Sequence, residues 1–99
     1  MAYISCPVCA GPVEFVGERP RCLVGHAFTP EDLSRSLGEA ASRALWSALR
    51  ALEDSVASAQ WRLTQPSPPA NAQAIVEEAE REAALVRTLL TAREGRSSD

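Results

Sequence analysis

Cys6, Cys9, Cys22 and His26, spaced C-x2-C-x12-C-x3-H, are all the cysteines and the only histidine of the chain. Three thiolates and one imidazole at these intervals make a closed tetrahedral metal site. Soft sulfur donors suit Zn²⁺ better than the other abundant cations. One structural Zn²⁺ per chain is therefore expected. Disulfides fit poorly, because three cysteines cannot pair evenly and no signal-peptide pattern precedes Cys6; a reducing cytoplasm is the expected setting. A redox pair at Cys6 and Cys9 would need a strand-to-helix junction within a βαβ pattern, whereas Pro7, Gly11 and Pro12 describe a knuckle followed by a strand. The intervals also match a ββα DNA-reading finger with its first histidine replaced by cysteine. Pro20 and Gly25, however, put the second ligand pair on a turn rather than on a helix. Catalytic zinc needs an open coordination position and a general base. Four good ligands leave none open, and Glu14 and Glu18 are the only acids between them, so the chain reads as no enzyme.

The elements that must hold these ligands divide the chain into a ribbon over residues 1–29 and a helical hairpin over 30–95. Tyr3 and Ile4 enter the first knuckle. Val13, Phe15 and Val16 form a short strand, Gly17-Glu18 a two-residue turn, and Arg19 to Cys22 the returning strand. Pro20 cannot donate to a ladder, so that strand should lie at an edge. About 28 residues bury too little apolar surface to fold alone, and a structural zinc adds an apparent ~10–16 kcal/mol, so metal should be obligatory.

Thr29-Pro30-Glu31-Asp32 is a helix start, with a threonine cap, proline at the first helical position and carboxylates where the dipole favours them. Helices are expected over 30–65 and 71–94, with a proline-rich loop at 66–70 and a polar tail at 96–99 after fraying at Gly95. Leu45, Leu49, Leu52, Val56, Ala59 and Leu63 recur at alternating intervals of four and three, a coiled-coil-like seam. Val76, Ala79, Ala83, Val86 and Leu90 form the second seam, and the two should face each other in an antiparallel hairpin. The fold class is thus a small α+β chain, a Cys3His zinc ribbon with two short strands followed by a long two-helix hairpin. At 1.5 Å per residue the helices would span ~54 and ~36 Å, leaving an overhang of about 18 Å. Leu33 and Leu37, with Ala40, Ala44 and Ala51, lie beside the leucine seam, and Phe15 and Phe28 are the nearest cover for its first part. Gly38 could let the first helix bend. Trp46 and Trp61 sit about 100° and 160° from the seam, and Leu85 and Leu89 fall off the second one. These four are the expected interaction residues, for a second copy of the chain or for another protein. Local packing of Trp61 on Pro66, Pro68 and Pro69 is the plainer alternative for that residue.

All basic residues are arginine, and thirteen acids outnumber them to leave a formal charge of −3. Without a basic patch, nucleic acid is a poor partner; a ribbon that binds it through Arg19 and Arg21 is the alternative function. No stretch is long and apolar enough to cross a membrane.

Cys6-Pro7-Val8-Cys9-Ala10-Gly11, Arg21-Cys22-Leu23-Val24-Gly25-His26-Ala27-Phe28 and Ala44-Leu45-Trp46-Ser47-Ala48-Leu49-Arg50-Ala51-Leu52-Glu53 together resemble the C-terminal extension of bacterial chemotaxis protein-glutamate methylesterases. The resemblance covers nearly the whole chain. It implies a zinc ribbon followed by helices, metal roles for Cys6, Cys9, Cys22 and His26, and a bacterial signalling context. It does not imply esterase activity, since the serine, histidine and aspartate of that catalytic domain have no counterpart here and no G-x-S-x-G turn is present. The expected function is a non-catalytic, zinc-stabilised protein–protein interaction or oligomerisation module.

Overall fold

A computed structural model describes residues 4–17 and 19–97. Two strands, β1 (Val13–Val16) and β2 (Arg19–Cys22), precede two helices, α1 (Pro30–Leu63) and α2 (Ala72–Ser97). This is the expected small α+β chain. It divides into two compact units, Met1–Ala41 and Ser42–Asp99.

The strands pair antiparallel with Val13 opposite Cys22, Glu14 opposite Arg21, Phe15 opposite Pro20 and Val16 opposite Arg19. Gly17 turns the chain at φ 64°, where a side chain would be strained. Glu18 and Tyr3, expected in the turn and the first knuckle, lie outside the described residues. Pro20 costs the ladder nothing. Its carbonyl points away from β1 and accepts the Phe28 N–H at 3.0 Å, so its nitrogen also faces away from β1. The far side of β2 is not a bare edge, because Arg21 forms a bridge with Ala27. Cys6, Val13 and Cys22 are the buried cluster, with Ile4 and Phe28 packed on it. Phe15, expected to cover part of the first helix, is instead 61% exposed. A ribbon two strands wide offers its turn end no opposing layer.

Thr29 caps α1 as its position suggests, with the Asp32 N–H donating to Thr29 Oγ1 at 3.0 Å. Leu33 is buried. The helix runs unbroken through Gly38. It ends at Leu63 rather than at 65, because Thr64 and Gln65 donate to the carbonyls of Trp61 and Arg62, three residues back, at 3.0 and 3.2 Å, a tightened last turn before the prolines. At the other end of the chain, α2 continues through Gly95 to Ser97 instead of fraying. The helices are 34 and 26 residues long, so they differ by about 12 Å rather than 18 Å.

In the second unit the two seams meet. Leu49, Ala83 and Leu90 form the buried cluster, flanked by Leu45, Leu52 and Val86; Ala59, Ala72, Val76 and Ala79 are also buried. Leu63, the last seam residue, is partly exposed because α1 ends there. Arg87 donates to Glu53 at 3.3 Å and Arg93 to Ser42 at 3.1 Å, which fixes the antiparallel register of this unit.

Candidate metal centre and exposed helix faces

Each half of the metal centre is a tight loop closed by the backbone of its first cysteine. The Cys6 N–H donates to the Gly11 carbonyl at 2.7 Å, and the Cys22 N–H to the His26 carbonyl at 3.0 Å. Within these loops amides point at sulfur: Val8 N–H lies 3.4 Å from Cys6 Sγ, and His26 N–H 3.3 Å from Cys22 Sγ. The His26 contact favours thiolate over thiol at Cys22. The backbone reaches this shape through two left-handed residues, Ala10 at φ 67° and Gly25 at φ 111°. The β1·β2 pairing then carries one loop to the other.

The four ligand atoms lie within 4.8 Å of one another. Cys9 Sγ is 3.7 Å from Cys22 Sγ. His26 Nδ1 is 3.2 Å from Cys22 Sγ and 3.7 Å from Cys6 Sγ. A tetrahedral ion with thiolate arms of about 2.3 Å and an imidazole arm of about 2.0 Å spaces its sulfurs ~3.8 Å apart and its sulfur–nitrogen pairs ~3.6 Å apart. The donor set therefore fits a metal ion, with Nδ1 as the imidazole donor. The three cysteines are free thiols.

The thiols differ in acidity. Desolvation alone would raise the buried Cys22 thiol, but the His26, Val24 and Gly25 backbone N–H groups and the Cys9 thiol hold it down at about 6. The Gly11 backbone lowers Cys9, yet desolvation and the Cys22 and Cys6 thiols outweigh it and leave Cys9 above its ordinary value. Backbone amides thus favour the thiolate at Cys22, while burial and the neighbouring thiols favour the protonated form at Cys9.

No protein-family model, curated protein or solved structure matches the chain.

The four expected interaction residues are all exposed, and the structure does not bring them together. Trp46, 51% exposed, lines a shallow groove with Ser47, Leu49, Arg50 and Glu53. This is the flank on which Glu53 meets Arg87. Leu85 and Leu89, 72% and 45% exposed, each lie two residues from Arg87 and so about 160° around α2 from it, on the opposite flank. Trp61 is near the end of α1 and 62% exposed, more than close packing against the prolines would leave. Sequence reasoning singled out the four residues that cluster but missed the amides that point at Cys6 and Cys22 and the left-handed Ala10, which no residue type announced. Among the described residues no helix is long and apolar enough to cross a membrane.

Proposed function

We propose that the chain is a non-catalytic, zinc-stabilised module for protein–protein interaction or oligomerisation in bacterial signalling. The observation that carries this reading is the contrast between a closed four-donor cluster and a helix pair that leaves Trp46, Leu85 and Leu89 in solvent. Three thiolates and an imidazole select Zn²⁺, and a complete tetrahedron leaves no position for substrate. Large exposed apolar side chains are what interfaces anchor on. The signalling context rests on the resemblance of the ribbon and the Trp46 helix to the extension of chemotaxis methylesterases, and the reducing cytoplasm on unpaired thiols. A nucleic-acid role is disfavoured by the ribbon itself, where Glu14 stands opposite Arg21 and offsets its charge.

Native mass spectrometry of the purified chain, before and after chelation, tests the metal half: one zinc per chain is expected, and a folded chain without metal overturns it. Replacing Trp46, Leu85 and Leu89 together by alanine tests the other half. Unchanged helicity with loss of assembly, whether with itself or with a signalling protein, is expected; unchanged assembly sinks the interaction reading.

A further inference from the structure

The flank of the helix pair remote from the Glu53–Arg87 ion pair carries a second seam on each helix. On α1, Ala44, Ala48, Ala51, Ser55 and Arg62 each lie about 140–180° around the helix from Glu53. On α2, Glu78, Glu82, Leu85, Leu89 and Ala92 stand at similar angles from Arg87, with Ile75 at the edge. All are exposed. Both sets recur at the three- and four-residue spacing of helix contacts.

The Glu53–Arg87 and Ser42–Arg93 bonds set Leu89 level with Ala48, Leu85 with Ala51 and Glu82 with Ser55, to within less than about one turn. Small residues on α1 thus stand at the same height as large ones on α2, and Arg62 about one turn beyond Glu78. Neither Arg62, Glu78 nor Glu82 has an ion-pair partner among the described residues. Within one chain these two seams lie side by side on one face and cannot pack on each other. A two-fold axis parallel to the helices lays α1 of one copy over α2 of the other at equal height, and vice versa.

We infer that this face is a homodimer interface, in which Leu85 and Leu89 of each copy enter the Ala44–Ala48–Ala51 seam of the other and Arg62 meets the partner's Glu78, completing an antiparallel four-helix bundle. This inference rests on the interaction-module reading and names its partner as a second copy. Large and small side chains match in one register and the Arg62–Glu78 charges within about one turn of it, and a foreign partner would have to reproduce both matches. Two seams, each ~27 Å long and ~10 Å wide, cover roughly 1,100 Å² in both copies together, near the lower limit of specific interfaces. An interface of that size is of the reversible kind. Trp46, on the opposite flank, stays free in it.

Sedimentation velocity across the micromolar range, with far-UV circular dichroism of each variant, tests the interface. Wild type is expected to pass from monomer to dimer, and L85E/L89E to remain monomeric with helicity intact. R62E should weaken association at least about tenfold, and R62E/E78R should recover most of that loss, as a directly paired charge does in a double-mutant cycle. A dimer that survives L85E/L89E, or that W46A abolishes, overturns this face, as does failure of the charge reversal to restore R62E. A wild type that stays monomeric at every concentration, yet forms a complex with a signalling protein that the Trp46, Leu85 and Leu89 alanine variant loses, overturns the second copy and leaves the interaction-module reading standing.

Discussion

In the ribbon the buried cluster is Cys6, Val13 and Cys22, and two of these three belong to the four-residue group that could hold a metal ion; in the helix pair Leu49, Ala83 and Leu90 are buried between two seams with no polar group among the buried residues described. The ribbon leaves Val8, Phe15, Leu23 and Val24 in solvent, so few of its apolar side chains contribute to a core. On the proposed reading, coordination does the work of a core there. The helix pair obtains its order from repeated leucine, valine and alanine contacts spread over many turns. The ribbon would then depend on one site and the helix pair on many contacts, and the two should respond to different insults.

Metal removal should separate them most. Chelation, or Cys22→Ala, is expected to abolish metal binding and unfold the ribbon, an effect on the scale of the ~10–16 kcal/mol of apparent zinc-finger binding energy. In amide spectra the ribbon signals should collapse while those of the Ser42–Asp99 unit persist. Loss of both together would show that the helix pair also depends on the metal.

The converse change is smaller. Leu49→Ala should destabilise the helix pair by about 2–5 kcal/mol through lost burial and the cavity left behind. Thermal unfolding of the helices should shift, with metal stoichiometry still one per chain; a fall in stoichiometry would contradict the independence of the two regions.

Acidity should sharpen the contrast further. The Cys22 thiolate, held at about 6 against an ordinary 9.0, contributes to the folded ribbon fully above 9.0, and the contribution is lost as pH falls through about 6. Metal affinity should therefore drop by an extra factor of about ten per pH unit below that point, while Cys9, being raised, should release its proton on metal binding at neutral pH. Calorimetry in buffers of different ionisation enthalpy reads both. The buried seams of the helix pair contain no titratable group, so mild acid should leave its core packing intact.

The smallest effects belong to the backbone of the two ligand loops. Gly25→Ala places a side chain at φ 111° and should cost the ribbon about 1–2 kcal/mol, whereas Ala10→Gly relieves φ 67° and should gain about 0.5–1 kcal/mol. Metal competition assays on the two variants should move in opposite directions. Movement in the same direction would mean that these loops do not limit affinity.

Much of this was legible in the residues because the signals were local or periodic. Four ligands of the right type at the right spacing, a threonine followed by proline and two acids, and leucines at intervals of four and three each carry their own physics. The ends of elements were less legible. Whether a helix stops at Leu63 or Gln65 depends on whether Thr64 and Gln65 reach three residues back or four, a difference of a fraction of a turn. Phe15 was misread because a large aromatic on a strand suggests a core, while whether anything lies opposite it is a question for the rest of the fold.

By itself the sequence determined which four residues could serve as metal ligands and where the two apolar seams run, since donor chemistry and helix period depend only on residue type and spacing. Only the tertiary structure decided which amides face Cys22, that Nδ1 of His26 is the ring nitrogen turned to the thiols, and that Leu85 and Leu89 share a flank with Ala48 and Ala51 while Trp46 takes the other. Those facts arise from closing loops and from the register of antiparallel helices, where residues far apart in the chain come to the same height, and no local pattern encodes that height.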